Sequence, residues 1–204
     1  MSSDPRASST GGSRRARAPL STLLARYVAL GFEHILPLGL DHILFVMGLF
    51  FASPHLGALA AQVTAFTLAH SLTLVLSALG VWSIPTGVVE PLIALSIVFV
   101  ALENTIPQDK RKGRLLTIFA FGLLHGLGFA SVLLELGLPS DRLVWALGAF
   151  NLGVELGQLA VLVSLWLLLR PLRERDWYRT TIAVPASVAI AAVGLYWFVE
   201  RVWF

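Results

Sequence analysis

The chain has no cysteine among its 204 residues. Disulfides and thiolate ligands are therefore excluded, and any bound metal must be held by imidazole, carboxylate, amide or carbonyl groups. That donor set suits nickel, cobalt, zinc, iron or manganese and serves copper(I) poorly. Charge is scarce as well, at 13% of residues against 56% hydrophobic ones. A soluble domain of this size could not bury so much apolar material, and a mean hydropathy of +0.78 indicates an integral membrane protein. No P-loop occurs, so ATP hydrolysis by this chain is not expected.

The few charges are clustered. Arg6, Arg14, Arg15, Arg17 and Arg26 lie near the start, Lys110, Arg111, Lys112 and Arg114 in the middle, and Arg170, Arg173, Arg175 and Arg179 later. Basic residues beside apolar runs are read by the insertion machinery and by anionic lipids. The pI of 9.8 thus describes membrane edges and gives no reason to expect a nucleic-acid partner. Residues 1–19, rich in Ser, Gly and Arg, are expected to be a disordered tail. No short apolar core with a small-residue cleavage site marks a signal peptide. Residues 20–204 are predicted to form one all-α transmembrane domain in a bacterial inner membrane.

About six spans are expected, since each crossing needs about 20 residues. The first block, Leu20 to Ala52, is too long for one straight crossing and too short for two, and Pro37 and Gly39 interrupt it. A kinked or broken helix is the simplest reading. Further spans are predicted over 60–79, 88–106, 115–136, 143–169 and 181–199, the last nearly featureless and read as scaffold. Gly122 and Gly126 form a GxxxG pair, with Gly153 and Gly157 as a second small-residue pair, and such pairs let backbones approach closely. The loops after the third and fifth spans each carry four Lys or Arg and are expected to be cytoplasmic. A single first crossing would then leave the arginine-rich tail outside.

What the apolar runs contain matters more than where they end. Glu33, His34, Asp41 and His42 lie in the first block, His70 in the second span, Glu103 and Asn104 in the third, His125 in the fourth, and Asn151, Glu155 and Gln158 in the fifth. On insertion scales a charged group at the middle of a membrane helix costs about 2.5–3.5 kcal/mol, so such residues face a bundle interior and mark a site. Thr67, His70 and Ser71 adjoin on one helical face, and Asn151, Glu155 and Gln158 form one stripe. In an unbroken helix His34 and Asp41 would lie nearly in line, with His42 pointing about 80° away. Asp41 beside His42 also suits a carboxylate that orients a ligating imidazole. Glu90, Glu135 and His55 are read as solvated or structural.

The segment His34-Ile-Leu-Pro-Leu-Gly-Leu-Asp41-His42 resembles the first-helix signature of the HupE/UreJ family of hydrogenase and urease accessory membrane proteins. Phe66-Thr-Leu-Ala-His70-Ser, Glu103-Asn104, Leu124-His125-Gly126-Leu-Gly128-Phe and Phe150-Asn151-Leu-Gly-Val-Glu155-Leu-Gly-Gln158 resemble further blocks of it. The resemblance spans roughly residues 31 to 160. It implies a nickel or cobalt permease with the histidines and carboxylates of the first helix as the ion's path. On the permease reading His34, Asp41, His42, His70 and His125 are expected to bind the ion and Glu103 or Glu155 to supply charge, with Glu33, Asn104, Asn151 and Gln158 as supporting polar groups. The same residue types also suit an intramembrane zinc hydrolase in which Glu103 or Glu155 is the general base. A purely structural membrane partner is a third reading. The expected partners are the lipid bilayer and a divalent metal ion (Ni, Co or Zn), with self-association left open.

Overall fold

The computed structural model describes residues 19–82, 84–106, 113–128 and 142–204. The expectations about the tail before Pro19, most of the basic segment around Lys110 and the far part of the fourth predicted span lie outside the described residues. Every described element is helical: α1 (Leu20–Ile35), α2 (Leu40–Ala52), α3 (Leu56–Ala78), α4 (Thr86–Glu103), α5 (Arg114–Gly128), α6 (Leu143–Arg173) and α7 (Val184–Trp203), the last preceded by a π-helical turn, Arg179–Ala183. Four helical stretches are long and apolar enough to cross a membrane, or five if the pair α1 and α2 counts as one span. The fourth predicted span is represented by α5, an apolar helix shorter than a full crossing over its described length.

The first block breaks where its sequence predicts. Leu36 takes an extended conformation (φ −121°, ψ 114°), as the residue before a proline prefers, and the Leu36–Pro37 peptide is cis. The amides of Leu38 and Gly39 turn back onto the carbonyls of Glu33 and Ile35, which closes the open end of α1. Gly39 is required here, because a Cβ would collide with the His34 carbonyl. Beyond the break α2 departs at 69° from α1.

The helices pack mainly as three pairs: α1 with α6, α3 with α5, and α4 with α7. Glycines set the first two contacts. Gly31 meets the Phe150 carbonyl, while Gly153 lies against Val28 and Phe32. On α5, Gly122 faces Phe66 and Ala69, and Gly126 faces His70 and Thr73. A side chain at these positions would push the helices apart. Val28 meets Gly153 and Ile35 meets Gly157, so α1 runs in the same sense as α6. Helix α2 fits between the pairs, burying Phe45, Leu49 and Phe50 beside Phe66, Ile97 and Phe150.

The bundle therefore has two ends. At the basic end Arg173 donates to the Ser53 carbonyl, Arg114 pairs with Glu103 and reaches Gln62, and Asn104 donates to the Gly48 carbonyl and to Ser187 Oγ. At the opposite end Arg201 reaches Asp41 and the Glu90 carbonyl. Between the ends, Leu68, Leu92, Phe99, Leu116, Leu152, Leu167 and Leu195 project outward and exposed. So wide an apolar belt is a lipid-facing surface. Trp82, Trp145, Trp177 and Trp203 are exposed at or just beyond helix ends, where interfacial tryptophans belong. The chain is an integral membrane protein.

Candidate metal centre

The break in the first block brings together what an unbroken helix would separate. His34 comes from the last turn of α1 and His42 from the first turn of α2, with ring centroids 4.8 Å apart. His70 of α3 completes the group, and one nitrogen from each of the three rings lies within 4.8 Å of the others. His70 is fully buried, and His42 nearly so. The Nε2 atoms of His42 and His70 are buried without a hydrogen-bond partner. Buried polar atoms are seldom left so. A tetrahedral ion with bonds of about 2.0–2.1 Å holds its ligands about 3.3 Å apart, so closing by about 1.5 Å would seat one. Imidazole donors fit nickel, cobalt or zinc, and the cluster is a potential metal-binding site.

The neighbours of the cluster orient it. Asn151 Nδ2 donates to the Leu147 carbonyl at 2.9 Å, which turns its Oδ1 toward His70 Nδ1 at 3.4 Å. With the His70 proton on Nδ1, the unpartnered Nε2 is left as the lone-pair donor. His125 adjoins His42, ring centroids 5.0 Å apart, but Ser96 Oγ contacts its Nε2 at 3.0 Å while its Nδ1 is buried without a partner. It stands beside the triad, outside the group of three. A cavity of about 270 Å³ reaches this group from one side, lined by His34, His42 and His125 together with Asp41, Glu90 and Arg201.

The carboxylates are arranged differently from the sequence-based expectation. Asp41 is held by Arg201, whose Nη2 lies 3.0 Å from each carboxylate oxygen. Its partner is thus a guanidinium from the last helix, which was read as featureless scaffold. Glu103 pairs with Arg114, and Asn104 ties α4 to α2 and α7, both at the basic end. Neither is brought into the histidine cluster. Glu33 is exposed. Glu155 accepts from Thr64 Oγ1 at 2.7 Å and Gln158 accepts from Thr67 Oγ1 at 3.0 Å. The stripe Asn151, Glu155 and Gln158 therefore faces α3 and forms a polar ladder leading from His70 toward the basic end. Gln158 Nε2 and Glu155 Oε2 are buried along it without partners.

Arg201, Ser96, Thr64 and Glu90 were not among the expected site residues. Arg201 carried one usable signal, a lone arginine closing an apolar run. Ser96 and Thr64 carried none, being ordinary hydroxyls in apolar helices.

These features define a class: a polytopic helical membrane protein with an imidazole cluster buried between its helices. The chain belongs to the HupE / UreJ protein family, whose sequence profile matches residues 12–201. That match covers nearly the whole chain and includes α7, which the motif resemblance did not reach. No curated protein matches the chain, and neither does any solved structure.

Proposed function

We propose that this protein carries a divalent transition-metal ion, nickel or cobalt, across the bacterial inner membrane as its substrate. The observation that supports this reading most directly is the triad His34, His42 and His70, whose ligating atoms lie within 4.8 Å of one another inside the bundle. A carrier must bind its ion and also release it. Imidazoles without a thiolate, and with the Asp41 carboxylate held by Arg201, make a site of moderate strength.

The path in this reading has two parts. The cavity lined by Asp41 and Glu90 is the mouth on the histidine side, and the ladder between α3 and α6 leads away from the cluster. Six crossings follow if α5 continues beyond Gly128 and α1 with α2 counts as one. The excess of Lys and Arg then assigns the basic end to the cytoplasm and the N-terminal tail to the other side. The parallel packing of α1 and α6 supports that arrangement.

Cells expressing the protein should accumulate nickel or cobalt above an empty-vector control, as read by elemental analysis, and His42→Ala should abolish the difference. Equal accumulation by vector and wild type would sink the proposal. Purified protein should lose its ion on dialysis against a chelator. A stoichiometric zinc that survives this treatment would favour the hydrolase reading instead.

A further inference from the structure

We propose that the cavity at the basic end of the bundle is a binding site for a phosphate group, separate from the metal centre. It has a volume of about 350 Å³ and lies between the α2–α3 turn, the end of α6 and the π-helical turn. Arg170, Arg173 and Arg179 line it, with Glu174 as the acidic residue on its wall. The size is that of a small-ligand pocket, and the charge balance of its wall is cationic.

Two buried donors there have no acceptor. Tyr178 is 8% exposed, and its hydroxyl makes no hydrogen bond. Arg173 uses one nitrogen on the Ser53 carbonyl while its Nη1 is buried without a partner. Unmade buried hydrogen bonds are expensive, and those to charged groups are the strongest. The guanidinium planes are also fixed in advance. Arg173 lies 4.4 Å over the Phe50 ring and Arg170 lies 4.9 Å over Trp166, which lowers the ordering cost of binding. Burial pushes the Tyr178 phenol above its ordinary pKa, partly offset by Arg173, so the hydroxyl keeps its proton and acts as a donor. A wall of planar cations and a phenol, all donors, matches an acceptor-only oxyanion with several oxygens.

The phosphate has two available sources. One is the headgroup of an anionic lipid, since basic pockets between membrane helices hold such headgroups. The other is a phosphate ion from the adjacent water. Native mass spectrometry of the full chain in detergent separates them with phosphatidylglycerol, diacylglycerol of the same chains, inorganic phosphate and chloride. The expected result is phosphatidylglycerol held at least tenfold more tightly than diacylglycerol, with the advantage reduced about tenfold by Tyr178→Phe and by Arg173→Gln. Preference for inorganic phosphate over chloride, lost in the same variants, supports the site with the soluble source. Tyr178→Phe removes one unbonded hydroxyl and carries the test even if Arg173→Gln does not fold. Binding that ignores the phosphate group, or that is unchanged in Tyr178→Phe, overturns the proposal.

Discussion

Asn151 offers the most discriminating test of the proposed metal centre, because it would act on an ion only through His70. Its amide is fixed by donation to the Leu147 carbonyl, and the oxygen left over faces His70 Nδ1 at 3.4 Å. In Asn151→Leu that acceptor is gone. His70 then loses the group that keeps its proton on Nδ1 and its Nε2 free for the ion. Losing such an outer partner typically costs 10–100-fold in metal affinity, or about 1.4–2.8 kcal/mol. The contact is longer than the ordinary 2.7–3.2 Å, so the lower figure, about tenfold, is expected. Asn151→Asp retains an acceptor and should bind cobalt as tightly as the wild type or more so. Titration of the purified protein with Co²⁺, followed by calorimetry and by visible absorption, gives both constants. If the Leu variant binds within twofold of the wild type, the orienting role is wrong, and recovery in the Asp variant excludes general damage to the fold.

Other expectations follow from the packing. Gly126→Ala places a Cβ against Thr73 Oγ1 and the His70 carbonyl, so overpacking should destabilise the bundle by about 1–3 kcal/mol, read as thermal unfolding in detergent; Gly148→Ala, with open space around it, should be neutral or slightly stabilising. Arg201→Gln releases the Asp41 carboxylate into the cavity and should tighten cobalt binding several-fold, an effect reversed by adding Asp41→Asn; weaker binding in the single variant would contradict the pairing. Glu103→Gln breaks the contact with Arg114 at the far end and should lower the unfolding midpoint while leaving cobalt affinity within twofold. A large loss of affinity there would mean that Glu103 belongs to the site after all.

Residue identity and residue position were not equally legible. The helical class follows from long apolar runs, and the break follows from Pro37 and Gly39, both local properties of the chain. The histidines could be singled out because a desolvated imidazole is costly wherever it sits in a span. Which carboxylate joins them depends on depth and on pairing across the bundle. Glu90 lies in the second turn of α4 and Glu103 at its end, about 20 Å apart along the helix axis, so the two cannot serve one site. The histidines lie near the Glu90 end, and Glu90 rather than Glu103 lines their cavity. Asp41 and Arg201 are 160 residues apart, and nothing local to either announces the other. The projection that sets His42 about 80° from His34 holds only for an unbroken helix, and the expected break at Pro37 removes that condition.

Helices α1 and α2, on either side of the break, are fastened into the bundle separately rather than to each other. Backbone-close contacts at Gly31 and Gly153 bolt α1 to α6, whereas α2 packs on both α4 and α6 and scarcely touches α1. His34 and His42 therefore stand on helices with few direct contacts between them, joined by the short link from Leu36 to Gly39. An ion ligated by both acts as a clamp across that joint. Any drift of one helix against the other would stretch the clamp, and by thermodynamic reciprocity the ion would resist the drift to the same extent that the drift weakens the ion's hold.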